Sequence, residues 1–195
     1  MKLPLFLNSR GRMRIKLNVQ YQVKDASGKI KRQFNANGLG LWLMKHGFID
    51  PREIAKFSFL GSYANTMNVS NLVTTAGKAL VAGRLNGSGA PAAADYIAVG
   101  TGTTAAAVAN TTLETESASA GLSRAQGTVS LVTTDTTNDT AQVTKTFSVT
   151  GTVAVTESGV LNAASSGTLL ARQVFAAINV VNGDSLAITW KFDVD

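Results

Sequence analysis

The stretch RMRIKLNVQYQVK at residues 12–24 decides the fold class of this chain. Apolar side chains occupy every second position from Met13 to Val23, and polar or basic side chains fill the positions between them. A period of two is typical of a strand with one buried and one exposed face. The turn-forming sequence DASG follows at residues 25–28, and residues 29–34 are suited to return as a second strand. We therefore predict an amino-terminal β-hairpin.

Short alternating segments return in the carboxyl-terminal half. Strands are predicted at residues 96–99, 127–133, 141–156, 169–181 and 186–194. Gly, Asn and Asp separate these segments, and 19 of the 22 threonines, which favour strands, lie in residues 101–195. We predict a mainly β fold: an antiparallel β-sandwich, immunoglobulin-like or jelly-roll-like, with one or two short helices. Phe147, Trp190 and Phe192 are predicted to lie in its core.

Two segments are candidates for the helices. Residues 38–48 predict a short helix or an apolar loop. Residues 74–87 predict a helix that Thr74 or Thr75 caps and that Asn86-Gly87 ends. Four apolar side chains that follow the first segment are predicted to be buried: Phe57, Phe59, Leu60 and Tyr63.

The charge of the chain is unevenly distributed. Residues 1–60 carry twelve Lys or Arg and three Asp or Glu, whereas residues 61–195 carry six and nine, for a net charge of +6. A basic amino-terminal third joined to a faintly acidic remainder indicates two different environments. We divide the chain into a basic hairpin and anchoring region (1–60), a short helix and linker (61–94), and a Thr-rich β-sandwich (95–195).

Eight basic residues of the hairpin region form a candidate anchoring face: Arg10, Arg12, Arg14, Lys16, Lys24, Lys29, Lys31 and Arg32. One interpretation is contact with nucleic acid or with an acidic protein partner. The other is a solvated face that protects a sheet from edge aggregation. Aromatic residues are not interleaved on this face, which weighs against single-strand binding by stacking.

The inventory of reactive side chains argues against an enzyme. The chain has no cysteine, and His46 is its one histidine, predicted to be a turn or interface imidazole. Glu114 and Glu116 are predicted to be a solvated strand edge and not an acid–base couple. The GTGTT segment at 100–104 lacks the lysine of a P-loop, and DTTND at 135–139 is predicted to be a hairpin tip and not a calcium loop. No enzymatic activity, cofactor or metal is expected.

The opening sequence MKLPLFL resembles the start of a signal peptide. Its apolar run spans about five residues, and a signal core needs about seven to fifteen. No run reaches the roughly 18 apolar residues of a membrane span. We expect a soluble protein that is made in the cytoplasm.

An ordered set of motifs carries a resemblance to a known group of proteins. The motifs are NLVTTAGKALVAGRLNG (71–87), YIAVGTGTT (96–104), ESGVL (157–161), GTLLAR (167–172) and LAITWKF (186–192). Together they resemble the small minor virion structural proteins of tailed bacteriophages, a group of decoration, neck–tail and fibre-like proteins. The resemblance implies a β-sandwich and repeated copies in an assembly. It implies no catalytic residues, and residues 1–60 lie outside it.

The expected function is that of a non-enzymatic structural component of a bacteriophage virion. We expect a capsid- or neck/tail-associated minor protein in multiple symmetric copies, assembled in the host cytoplasm and anchored through the basic face. The expected partners are the major capsid, neck or tail proteins and further copies of the chain, with no membrane. One alternative is a tail-fibre-type receptor-binding module, although no shaft-like repeat is present. A second is a nucleic-acid-binding protein that uses residues 10–32.

Overall fold

The computed structural model describes residues 15–70, 72–89 and 91–194. The strands in these ranges are β1 (Ile15–Lys24), β2 (Ile30–Lys31), β3 (Gln33–Ala36), β4 (Gly61–Ala64), β5 (Met67–Ser70), β6 (Leu72–Val73), β7 (Tyr96–Gly100), β8 (Ala125–Gln126), β9 (Thr128–Val132), β10 (Thr140–Ser148), β11 (Val153–Leu161), β12 (Leu169–Val180) and β13 (Ser185–Val194). The helices are α1 (Gly38–Lys45) and α2 (Thr75–Asn86), and two 3-10 turns span Ile54–Lys56 and Ser58–Leu60.

Two antiparallel sheets pack face to face. The first has the strand order β2-β1-β13-β10-β9, with β5 also pairing with β1. The second has the order β6-β12-β11-β7-β8, and β3 pairs with β4 in a separate ribbon. The prediction of a mainly β, antiparallel sandwich with one or two short helices and an amino-terminal hairpin is confirmed, and the number of helices is two.

The alternating pattern of β1 places its apolar side chains between the sheets. Val19, Tyr21 and Val23 are fully buried, while Lys16 and Lys24 are exposed on the opposite face. Strand side chains alternate between the two faces of a sheet, so the period-two sequence specifies this register. The predicted strand is confirmed from residue 15 onward, and residues 12–14 lie outside the described part.

The predicted return strand at residues 29–34 is only partly correct. The Asp25 carboxylate accepts the backbone N–H groups of Ser27 and Lys29, and Gly28 has a φ of +84°, so the turn forms as expected. However, only the two residues of β2 pair with β1. The chain then leaves the sheet as β3, which pairs with β4 and buries Phe34.

Aromatic side chains from both sheets form the core. The ring of Tyr21 on β1 lies 4.3 Å from that of Phe175 on β12, measured between centroids. The Trp190 indole on β13 donates a hydrogen bond to the Ser158 hydroxyl of β11 at 3.2 Å. Burial raises the pKa of Tyr21. The three predicted core residues Phe147, Trp190 and Phe192 are all buried, as expected.

Helix α2 forms where the sequence predicts it. The Thr74 hydroxyl accepts the Gly77 N–H at 2.8 Å, and Gly87 ends the helix with a φ of +72°. Gly77 lowers helix propensity, but a Cβ at this position would lie 2.1 Å from the Leu170 carbonyl oxygen. The glycine is therefore required for the close approach of α2 to β12.

Residues 141–156, predicted as one alternating segment, belong to two strands in different sheets. β10 lies in the first sheet and β11 in the second. Between them the Val149 N–H donates to the Asp184 carbonyl, and the Thr150 N–H donates to the Ala120 carbonyl. These bonds redirect the chain from one sheet to the other.

Strand pairing joins the amino-terminal region to the rest of the chain. β1 pairs with β13 over its whole length, from Ile15 opposite Val194 to Lys24 opposite Ser185. This pairing crosses the boundary that we placed at residue 60, and α2, from the region 61–94, packs on β12. Both regions therefore contribute to the β-sandwich.

Candidate interaction surface

Residues 37–63 form a small unit on the side of the sandwich, which we call the aromatic unit. Its helix α1 begins at Asn37, whose side chain accepts the Gly40 N–H at 3.0 Å. The same side chain donates to the Phe59 carbonyl at 2.8 Å. A Cβ at Gly40 would lie 2.6 Å from the Leu60 carbonyl oxygen, so the helix rests directly on the turn at 58–60.

Buried apolar side chains and hydrogen bonds attach the aromatic unit to the sandwich. Ile54 and Leu60 are fully buried, and Met44 is 6% exposed. The Pro51 carbonyl accepts the Ala177 N–H of β12 at 2.8 Å. In addition, Arg52 donates to the Thr101 carbonyl at 2.9 Å. The unit is therefore fixed to the second sheet.

Large apolar side chains of this unit face solvent. Six of them are at least 43% exposed: Leu39, Trp42, Phe48, Phe57, Phe59 and Tyr63. Trp42 stacks on Phe48 with ring centroids 5.5 Å apart, and Phe57 meets Phe59 edge-on at 6.2 Å. Exposed apolar side chains that group on the surface of a folded protein are candidates for an interaction site.

Three of the four burial predictions for this segment are wrong. Leu60 is buried as expected, but Phe57 is 43% exposed, Phe59 68% and Tyr63 49%. A single 3-10 turn points only one of its side chains inward, and at residues 58–60 that side chain is Leu60. The neighbouring aromatic rings are left on the outside.

His46 ends helix α1 and belongs to the same surface. Its Nδ1 atom lies 2.9 Å from the Trp42 carbonyl oxygen, and its ring lies 4.6 Å from the Trp42 ring. Within residues 15–70, 72–89 and 91–194, no three His, Asp or Glu side chains are grouped to hold a metal ion. His46 lies in the turn after α1, which agrees with the first alternative of the predicted turn or interface imidazole.

The residues of the predicted basic face do not converge in the described part of the chain. Arg10, Arg12 and Arg14 lie outside it. Lys16 and Lys24 stand at opposite ends of β1, eight residues or about 26 Å apart.

The three remaining residues of the basic face lie in or beyond the hairpin turn. Lys29 is exposed in the turn itself. Lys31 forms an ion pair with the buried Asp184 at 2.7 Å, and Arg32 donates to the Tyr63 carbonyl. Lys31 and Arg32 therefore have structural partners, and the anchoring role of the set stays a prediction.

A second irregular segment, residues 101–124, covers the outer face of the second sheet. We call it the covering loop. Its Leu113 packs with Ala98, Leu161 and Leu169 in a cluster separate from the main core. The covering loop thus shields these apolar strand residues from solvent.

Buried charges hold the covering loop in place. Glu157 on β11 is fully buried and accepts the backbone N–H groups of Gly102, Glu114 and Thr115 at 2.7–3.1 Å. It also binds Arg172 of β12 at 2.8 Å. Every oxygen of this carboxylate therefore has donors, as a buried charge requires.

Arg172 extends this network outward. It donates to the Asn110 side chain at 3.1 Å and lies 3.3 Å from the Glu114 carboxylate. Partial burial raises the pKa of Glu114, but the Thr104 amide and hydroxyl and the Arg172 guanidinium outweigh it, so the net pKa is below its ordinary value. The single Arg172 guanidinium therefore pairs with both carboxylates and ties the covering loop to β12.

Sequence reasoning missed Glu157 and Arg172. Glu157 interrupts the otherwise uncharged VAVTESGVL, and Arg172 interrupts LLARQVFAA. A single charge inside a buried strand nearly always has a partner of opposite charge. An ion pair between Glu157 and Arg172 could therefore have been predicted from the sequence. The prediction of a solvated edge at Glu114 and Glu116 is correct in part: Glu114 is exposed and Glu116 is partly buried. Glu114 pairs with Arg172, and Glu116 pairs with Arg124 at 2.6 Å.

The Gly100–Thr104 segment is a tight connection, as predicted. Its Gly102 N–H faces Glu157, and its Thr104 N–H donates to Glu114 at 2.8 Å. A phosphate in this place would meet two carboxylates. A Cβ at Gly100 would lie 2.3 Å from the Thr115 carbonyl oxygen, so the glycine is required by close backbone approach.

The DTTND segment is a hairpin tip, also as predicted. β9 and β10 pair on either side of it. The Asp139 carboxylate accepts the backbone N–H groups of Thr134, Asp135 and Thr136. These bonds, with that from Thr136 the strongest, hold the pKa of Asp139 far below its ordinary value.

The sequence matches no protein-family model, and neither a curated protein nor a solved structure shows significant similarity to it. In the described ranges, neither α1 nor α2 has the length and apolar character to cross a membrane.

Proposed function

We propose that this chain is a non-enzymatic structural protein of a bacteriophage virion, associated with the capsid or with the neck and tail. In this proposal the aromatic unit contacts a neighbouring virion protein, and several symmetric copies are present in each particle. The observation that carries the proposal is the exposed aromatic surface of residues 37–63 on a rigidly attached support.

Exposure of this apolar surface to water is unfavourable in free energy. Six large apolar side chains within 25 residues, from Leu39 to Tyr63, remain exposed to water in the isolated chain. Protein interfaces are enriched in aromatic side chains, and a few of these supply most of the binding energy. Trp42 and Phe59 are the best candidates for such a role, because both are large and project from buried supports.

The assignment to a bacteriophage particle is supported by the resemblance of the ordered motifs. Three of these motifs meet in one network: the GTGTT loop, Glu157 of ESGVL and Arg172 of GTLLAR. The resemblance therefore concerns residues that fix the covering loop to the sandwich. Shared residues of this kind support a shared fold with the minor virion group.

The exposed basic residues are proposed to make a second, weaker contact. Lys16, Lys24 and Lys29 are exposed. Exposed charges steer association and contribute little to affinity. An acidic neighbouring protein is the partner that fits them.

The experiment is to measure incorporation of variants into purified particles. Trp42→Ser combined with Phe59→Ser should strongly reduce the number of copies per particle without lowering the melting temperature. Val108→Ser is the matched control, because Val108 is 48% exposed on the covering loop, outside the aromatic unit. Normal incorporation of the double variant would refute the proposed contact.

Two other results would redirect the assignment. Absence of the chain from particles, together with salt-sensitive binding to DNA, would favour a nucleic-acid-binding protein. Binding of the isolated chain to host cells or glycans would favour a receptor-binding module.

A further inference from the structure

Strand β9 is an unprotected edge of the first sheet. Among the described residues it pairs with β10 on one side only. Its side chains Val129 and Leu131 are 59% and 64% exposed. An unpaired edge presents backbone N–H and C=O groups to which another strand can bind.

The sequence of β9 lacks the features that normally protect an edge. The strand reads TVSLV and contains neither a charge nor a proline. Natural proteins use Lys, Pro or a bulge to prevent pairing at such edges. The absence of these features indicates that pairing is tolerated or required here.

The apolar side of β9 continues the inner face of the first sheet. Val129 lies opposite the buried Val143 of β10, and Leu131 lies opposite Ala141. With Leu85 of α2 they line an open groove of about 510 Å³. Among its described lining residues, Arg84 is the only charged one.

We propose that a second copy of this chain pairs with β9 in antiparallel register about a twofold axis at Ser130. This register places Val129 opposite Leu131 of the second copy, on the same face of the joined sheet. It brings no two charges together, because β9 has none. The exposed apolar side chains of each copy then cover those of the other.

Because β9 carries no charge, an identical strand meets it without like-charge repulsion and covers Val129 and Leu131 with apolar side chains, which favours a second copy. Thr128 and Val132 stand at equal distances from Ser130, so every residue of the strand has a partner in the twofold arrangement. A twofold interface is closed and stops at the dimer. This inference goes beyond the proposed function, since it concerns the isolated chain and does not depend on the particle.

The first measurement is the mass of the isolated full chain by analytical ultracentrifugation. The native chain is expected to be a dimer. The variant Val129→Lys with Leu131→Lys places lysines opposite lysines, and its dimer should dissociate at a concentration at least about 100-fold higher. Val108→Lys is the control and should leave the dimer intact. Circular dichroism checks that each variant folds, as the exposure of these side chains leads us to expect.

Cysteine cross-linking tests the register, because the chain has no cysteine of its own. In the proposed dimer the Cα atoms of the two Ser130 residues lie about 4.5–5.5 Å apart, within reach of a disulfide. Ser130→Cys should therefore give a covalent dimer on oxidation. The Cα atoms of the two Thr128 residues lie about 13 Å apart along the strand, so Thr128→Cys should not.

Three results would overturn the proposal. The first is a monomeric native chain. A chain that dimerises only after removal of residues 1–7 belongs to this result, and it would mean that the chain's own amino terminus occupies the β9 edge. The second is a dimer that the double lysine variant retains, and the third is cross-linking at residue 128 in place of residue 130. None of these results depends on incorporation into particles, so this inference and the proposed function can fail separately.

Discussion

The covering loop (101–124) and the aromatic unit (37–63) are both irregular segments attached to the second sheet, and they treat their side chains in opposite ways. The covering loop buries polar groups and satisfies them through Glu157 and Arg172. The aromatic unit turns large apolar rings toward solvent. Satisfied polar groups in the first segment indicate a stabilising role, whereas the exposed rings of the second are the basis of the contact that we propose.

The largest expected effect comes from breaking the network under the covering loop. Arg172→Met removes the buried partner of Glu157, and loss of one member of a buried ion pair costs about 3–5 kcal/mol. Urea unfolding should show this loss in the free energy of unfolding. Lys24→Met, an exposed lysine on β1, is the control and should change stability by less than about 0.5 kcal/mol. Equal stabilities of the two variants would contradict the structural role of the network.

Two adjacent residues sharpen the comparison within the aromatic unit. Leu60 is fully buried and Phe59 is 68% exposed. Leu60→Ala should cost about 2–5 kcal/mol of unfolding free energy, because it opens a cavity. Phe59→Ala should cost less than about 0.5 kcal/mol. Thermal or urea unfolding of the two variants checks this, and a large loss for Phe59→Ala would show that its ring stabilises the fold.

A pair of glycines distinguishes the two segments by their packing. A Cβ at Gly102 in the covering loop would lie 2.5 Å from the Glu157 carboxylate, whereas a Cβ at Gly38 of α1 would meet nothing within 4 Å. Gly102→Ala should destabilise the fold by about 1–3 kcal/mol through overpacking. Gly38→Ala should be neutral or slightly stabilising in the same unfolding assay. A larger loss of unfolding free energy for Gly38→Ala than for Gly102→Ala would mean that the covering loop can move to accommodate a Cβ at residue 102.

The smallest effect is a pH dependence. The pKa of Glu114 and that of Asp139 lie below their ordinary values in the folded chain. A lowered pKa contributes stability that is present above the unfolded value of about 4 and is lost as the pH falls below it. Asp139→Asn should lower the melting temperature at pH 7, and the difference from the native chain should shrink toward pH 3. A difference that is constant across this range would exclude the carboxylate as its cause.

The sequence was sufficient to predict those elements whose pattern is local. β1, β13 and α2 follow from their periodicity and capping residues, because alternation and caps act within a few residues of the chain. The hairpin tip at 135–139 follows from turn chemistry in the same way.

The exposed aromatic surface, the buried network and the change of sheet could not be predicted, because they depend on tertiary packing. Whether Phe59 or Leu60 points inward depends on the 3-10 turn at residues 58–60 and on the buried side chains against which it packs. Glu157 and Arg172 meet only because β11 pairs with β12. The alternation of residues 141–156 gives no sign of the change of sheet, which depends on hydrogen bonds that the backbone donates to the carbonyls of Asp184 and Ala120.

The central claim is that the aromatic unit contacts a neighbouring protein in a virion, and cryo-electron microscopy of the particle tests it most directly. We expect ordered copies of the chain in which Trp42, Phe48 and Phe59 lie against another virion protein. Ordered copies whose aromatic unit faces solvent, or particles without the chain, would contradict it.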